Sequence, residues 1–449
     1  MAATFQTVNP ATGDVIKSYQ HLSWEKTEQA IKEAHQDFLK WRKTSFDERA
    51  GFLMKLAEKL RAHKTEIAES MQQEMGKLIA EGKAEVEKCA VTCEFYAKEG
   101  AKMLKPVPSD SPYKSAEVVF EPLGVIFSIM PWNFPLWQVI RFAAPSIMAG
   151  NVVVLKHADL TAGTAEWIGK IFAEVSSSPL LLRNCQVDHE TAEKAMASPF
   201  VRGVTFTGST RGGKEVAKTA AGNLKKTVLE LGGSDAYVVL EDADIANAAK
   251  ICVKARLVNA GQSCVAAKRF IVVEKVASEF IKNYVEEMRK SEIAPLASEK
   301  FKKQIIEQVE KLKSWGGKVI LGGTAPQGPT AFYPPTVVVF EKNNPDMHAE
   351  EVFGPVASII VVKNEQEAIE VANASPYGLG GALFTKNIEN GKKLLAYEMQ
   401  AGFVVLNDQV KSDPRIPFGG IKESGYGREL GTFGIHEFVN VKTVAIGGS

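Results

Sequence analysis

Two α/β domains, each built on a parallel sheet with helices on both faces, are the architecture this sequence predicts. Three observations carry that expectation. At 449 residues the chain exceeds what one hydrophobic core supports. From Glu117 onward, short β-branched or apolar runs alternate with helical stretches, the pattern of a parallel sheet. A second round of the same alternation starts at Phe270, so the division is expected near Glu230–Asp235.

Taken in order, residues 23–105 read as helical. Ser23 caps a helix through Phe38, and Phe46–His63 and Ala68–Ala101 carry apolar residues at three- and four-residue intervals. The runs Val118–Phe120, Val125–Met130, Val152–Lys156, Val204–Thr207 and Tyr237–Leu240 read as strands. The second round comprises Phe270–Glu274, a helix near Ser278–Lys290, and strands at Val319–Leu321, Thr336–Phe340 and Ala357–Val362. Helices near Glu365–Ala374 and Ile388–Tyr397 precede and follow further turns, and Gly402–Leu406 adds a strand. Phe438–Ile446 is strand-like, of the kind that pairs with an edge in a neighbouring subunit.

Composition narrows the function classes. The formal net charge of +1 argues against nucleic acid or an anionic membrane as the main partner. The amino terminus lacks the basic and apolar regions of a secretory signal, and Phe142–Leu155 is broken by Pro145, Gly150 and Asn151 before it is long enough to span a bilayer. Five cysteines, odd in number and thinly spread, fit a reduced cytoplasmic chain without disulfides. Cys89, Cys93 and Cys252 are expected in helix cores, and no metal site is expected.

Three segments carry chemistry. Cys264 follows Asn259-Ala260-Gly261, a helix stop that presents the thiol at a turn among small neighbours. Glu230 ends an apolar run before Gly232-Gly233; at the rim of an apolar pocket its pKa would rise toward that of a general base. Prolines on both sides of Asn133, in Pro131-Trp132-Asn133-Phe134-Pro135, hold an amide that can donate to an oxyanion. Val204–Thr207 leading into Gly208-Ser209 and a helix forms a phosphate site. Lys156 at a strand end can reach a ribose or phosphate, and Glu351 with Phe353 suits a nicotinamide ribose and ring.

With Phe206-Thr207-Gly208-Ser209-Thr210, Gly261-Gln262-Ser263-Cys264, Glu351-Val352-Phe353-Gly354-Pro355 and Pro417-Phe418-Gly419-Gly420, these segments resemble the aldehyde dehydrogenase superfamily over essentially the whole chain. The resemblance implies two Rossmann-type domains: residues 1–103 and 123–232 binding the dinucleotide, 233–432 catalytic, and 104–122 with 433–449 as oligomerisation strands. It implies Cys264 as nucleophile, Glu230 as base and Asn133 as oxyanion donor. Around the cofactor, NAD with NADP possible, it places Trp132, Lys156, Asp159, Gly208, Ser209, Leu231, Glu351 and Phe353. It also implies a homodimer or a dimer of dimers.

Pro131 through Arg141, Gln262 through Arg269 and Lys411 through Gly420 look most like bacterial succinate-semialdehyde dehydrogenases. That likeness implies an aldehyde carrying a carboxylate, held by Arg141, Ser412 and Arg415 with Trp137 nearby. Val258 stands where another group of semialdehyde dehydrogenases has an arginine, and Ala266 where some relatives have a redox cysteine. Asp159 occupies a position that is acidic in NAD-preferring relatives, so NAD preference is expected. Residues 176–185 and 290–295 depart from the family pattern. Two rival readings are a CoA-acylating enzyme, disfavoured by the presence of Glu230, and a non-catalytic scaffold of the same fold.

Overall fold

A computed structural model describes residues 3–328 and 330–448. Its first sheet runs in the order Gly425–Tyr426, Lys226–Glu230, Val201–Thr207, Val125–Met130, Val152–His157, Leu182–Asn184. Every pairing in it is parallel except that of Gly425–Tyr426. The second sheet runs Lys318–Leu321, Thr336–Phe340, Val356–Val362, Arg269–Val273, Ala236–Val239, Gly380–Phe384, Phe403–Leu406. Only its edge strand Lys318–Leu321 is antiparallel. The change of sheet falls between Glu230 and Ala236.

Alternation along the strands explains why the second sheet is covered on both faces. Ala236, Val238, Ile271, Val338 and Ile360 join one core, while Tyr237, Val239, Phe270, Val337 and Ile359 join the other. Gly425 and Tyr426 come from beyond the second sheet yet pair with Glu230 and Leu229, tying the two units together beside the candidate base.

Ser23 caps the first helix as expected, which extends over Trp24–Trp41. The single stretch expected at Ala68–Ala101 is instead two helices, Lys64–Met75 and Ile79–Met103. Gly76 breaks it with φ 76°, and a Cβ there would sit 2.8 Å from Pro295. The break turns the side chain of Lys77 inward, where it matters for the site.

Val118–Phe120 is part of Ser115–Pro122, which lies outside the parallel sheets and pairs antiparallel with Val439–Ile446 of the same chain. Val439–Ile446 is paired on one side, within the chain, and forms an edge of this sheet. Val107–Pro108 completes this small sheet. Residues 290–295 carry neither helix nor strand after Arg289, whereas the unusual 176–185 segment yields the edge strand Leu182–Asn184 beside Val153–Leu155.

Candidate active site

Two cavities meet at one sulfur. A cavity of about 270 Å³ is lined by Cys264, Phe134, Trp137, Arg141, Lys88 and Ser412, among others. A second, about 260 Å³, is lined by Cys264, Trp132, Asn133, Gly208, Ser209, Leu231, Glu351 and Phe353. Cys264 and Gln138 belong to both linings. Trp137, Arg141 and Ser412 thus fall on the opposite side of the thiol from the residues expected around a cofactor.

The thiol is presented by strained backbone. The helix Ile245–Leu257 ends, and Asn259 and Ala260 follow with φ 54° and 53° before Gly261 at 76°. Side-chain-bearing residues adopt that region at a cost of about 1–3 kcal/mol each, so the surroundings must hold them there. They do: Asn259 Nδ2 donates to the main-chain oxygens of Asn133 (2.9 Å) and Gln262 (3.1 Å), and its N–H donates to Glu81 (3.1 Å). Lys268 Nζ donates to the carbonyls of Ser263 (2.9 Å) and Cys264 (2.6 Å). Burial pushes the Cys264 thiol up to about 11, against the opposing pull of the Arg141 and Lys268 cations.

Asn133 lines the second cavity and is tied directly to this loop. Its Nδ2 donates to the Gln262 carbonyl at 3.1 Å, two residues before the sulfur, and its own carbonyl accepts from Lys77 Nζ at 2.8 Å. Lys77 is ion-paired with Glu85, and both are buried. Glu85 in turn accepts from the N–H groups of Leu136 (3.0 Å) and Trp137 (2.9 Å), satisfying donors at the start of the helix Trp137–Ala149. One buried pair therefore secures both the amide loop and the helix lining the thiol cavity.

Glu230 is the last residue of its strand and fully buried; neither carboxylate oxygen has a hydrogen-bond partner. It does not stand at a pocket rim and lines neither cavity. Desolvation raises its pKa well above the usual carboxylate range; Arg141 works against that rise, and Glu429 adds to it. The direction agrees with a general base, and Glu230 Oε1 lies so close to Gly419 that a Cβ there would sit 2.8 Å from it.

On the cofactor side, the strand Val201–Thr207 runs through Gly208 into the helix Thr210–Gly222, whose cap is Ser209. Glu351 accepts from the Gly233 N–H at 2.9 Å and approaches Lys268 at 3.7 Å. Phe353 stands edge-on to Trp132, with ring centroids 6.0 Å apart. These residues make a glycine-lined, aromatic-walled cleft that ends at a helix start, which fits a nicotinamide dinucleotide. Lys156 and Asp159 lie outside both linings; Asp159 accepts from Gln186 at 3.0 Å and contacts His21 Nε2 at 3.1 Å.

Two expected substrate ligands carry ion-pair partners of their own, although Arg141 still lines the thiol cavity. Arg141 is buried, ion-paired with buried Glu429 and stacked over Phe418, because the chain returning at 429 delivers a carboxylate that no local pattern reveals. Arg415 is exposed, pairs with Asp413 at 2.6 Å and lines neither cavity. Lys77, Glu85, Lys268 and Glu429 escape sequence reasoning, since each reads locally as an ordinary surface charge.

The whole-chain comparisons agree with this geometry. A probable succinate-semialdehyde dehydrogenase [NADP(+)] of Synechocystis sp. is 42% identical over 98% of this chain and 99% of its own length. Succinate-semialdehyde dehydrogenase [NADP(+)] 1 of Mycobacterium bovis is 39% identical over 98% and 99%. The crystal structure of succinic semialdehyde dehydrogenase from Streptococcus pyogenes in complex with NADP+ superimposes with a TM-score of 0.95 at 36% identity, covering 99% of this chain and 100% of that one. The profile of the aldehyde dehydrogenase family matches residues 1–444, and with the thiol, amide and dinucleotide cleft in place the chain belongs to that family.

Proposed function

We propose that this protein oxidises succinic semialdehyde to succinate with a nicotinamide dinucleotide. One observation carries the reading: Cys264 lies in the lining of both cavities, so a carbonyl from one side and a nicotinamide from the other meet at its sulfur. The names of the relatives supply the substrate class.

Cys264 Sγ adds to the aldehyde carbon, and Asn133 Nδ2 with the Cys264 N–H holds the resulting oxyanion. When bound, the dinucleotide accepts the hydride. The thioester left on Cys264 is opened by a water whose proton passes to Glu230, and succinate leaves. Trp132, Gly208, Ser209, Leu231, Glu351 and Phe353 hold the dinucleotide near the thiol, while Lys156 and Asp159 serve its ribose and adenine side.

The relatives bear NADP(+) in their names, whereas Asp159 carries a charge that repels a 2′-phosphate. We retain NAD preference on that ground. We also read residues 104–122 and 433–449 as the segment that joins subunits into a homodimer or dimer of dimers. The chain is read as cytoplasmic: all five cysteines are unbridged, and no helix among the described residues is long and apolar enough to cross a membrane.

Mixing the protein with succinic semialdehyde and NAD or NADP, and following absorbance of the reduced cofactor, tests the activity. Signal without CoA is expected. Strict dependence on CoA would establish acyl transfer instead, and silence with every aliphatic aldehyde would establish a scaffold.

A further inference from the structure

The turn that presents the thiol and the loop that carries Glu351 and Phe353 touch at their backbones. A Cβ on Gly261 would lie 2.3 Å from the carbonyl oxygen of Gly354. Two buried basic side chains cross that contact. Arg256, in the helix Ile245–Leu257, donates through Nη2 to the Gly261 carbonyl at 2.6 Å and reaches that of Val352 at 3.5 Å. Lys268 donates through Nζ to the carbonyls of Ser263 and Cys264 while standing 3.7 Å from Glu351 Oε1. The other charged groups facing it are Arg256 and Asp235, the latter buried with one oxygen unpartnered. Glu351 lines the cavity on the cofactor side of the thiol, whereas Lys268 lines neither cavity.

Burial disfavours this ammonium, and the Glu351 carboxylate is the foremost of the groups that offset the penalty. Anything that draws on that carboxylate therefore changes what holds Lys268. Resting on the reading of the second cavity as the dinucleotide cleft, we propose that Lys268 is a positioning residue that passes occupancy of that cleft to the nucleophile. Ribose hydroxyls donating to Glu351 take up part of its negative charge, which leaves the Lys268 cation to act more fully on the two carbonyls and on the sulfur beside them. The thiolate is then favoured once the dinucleotide is in place. In the empty protein the thiol stays protonated, and so is protected from stray oxidants.

ADP-ribose carries both riboses of the dinucleotide but no nicotinamide ring to cover the sulfur. Cofactor-free wild type, Lys268→Met and Lys268→Arg are to be alkylated with iodoacetamide at about pH 8, with and without saturating ADP-ribose, and modification of Cys264 followed by mass spectrometry. ADP-ribose should speed the reaction of wild type by about threefold or more. Lys268→Met should start about tenfold slower and show no response to the ligand. Lys268→Arg, which keeps a cation, should respond within about twofold of wild type. A response in Lys268→Met equal to that of wild type would overturn the assignment, as would a wild type that binds ADP-ribose without acceleration. Should Lys268→Met fail to fold, Glu351→Gln decides. Its alkylation should be faster than that of wild type without ligand and gain nothing from ADP-ribose; an unchanged rate with the gain intact would overturn the proposal. A wild type that binds neither ADP-ribose nor NAD by calorimetry would sink the reading of the cleft itself, and this assignment with it.

Discussion

Lys77 Nζ donates to the main-chain oxygen of Asn133 at 2.8 Å while paired with Glu85, so the candidate oxyanion donor is held by a buried ion pair between the break at residues 76–78 and the helix Ile79–Met103. Lys77→Met would strand the Glu85 carboxylate in the interior. Loss of one partner of a buried pair costs about 3–5 kcal/mol. Chemical denaturation should show that loss, and kcat should fall in whatever protein remains folded. Unchanged stability would mean the pair is not buried as described.

Cys264→Ala should abolish turnover while dinucleotide binding persists by fluorescence titration, because the cleft holding the cofactor has six other lining residues expected to contact it. The thiol's pKa, raised to about 11 by burial, also predicts its reactivity. Only the thiolate alkylates, so in cofactor-free protein the iodoacetamide rate should climb about tenfold per pH unit from 7 to 9. A plateau below pH 8 would contradict the raised value.

Arg141→Ala removes the cation that faces both Glu429 and Glu230. Losses in kcat/KM should be similar for succinic semialdehyde and butanal, accompanied by destabilisation of about 3–5 kcal/mol from the uncompensated Glu429 charge. A loss confined to succinic semialdehyde would restore Arg141 as the carboxylate ligand.

The Glu230 carboxyl holds its proton well above the usual carboxylate range, and a base acts only once that proton has gone. If hydrolysis limits turnover, kcat should therefore rise with pH through a value above ordinary glutamate. The groups facing Glu230 in that titration are Arg141, Glu429, Arg428 and Glu437. Glu230→Gln should erase this limb and slow thioester hydrolysis, leaving a stoichiometric burst of reduced cofactor in rapid mixing.

Asp159→Ser should shift the NAD-to-NADP ratio of kcat/KM by about tenfold toward NADP, the equivalent of removing about 1.4 kcal/mol of repulsion. An unchanged ratio would show that His21 and Gln186, which already contact this carboxylate, keep it from the ribose.

The sequence by itself determined the parallel-sheet architecture and the order of most strands along the chain, because hydrophobic periodicity is a local property; it marked Cys264, Glu230 and Asn133 as candidates at rigid Pro- or Gly-bearing turns, and their roles rest on the family resemblance. Only the tertiary structure decided which charges share a cavity. Arg141 reads in sequence as a carboxylate ligand, and Glu429, far along the chain, stands beside it; Lys88 carries no local signal, and only the packing of the helix Ile79–Met103 brings it against Trp137 and Ser412. A charge's partner depends on distance through space and on the water removed around it, and neither quantity is written in the spacing of residues along a chain.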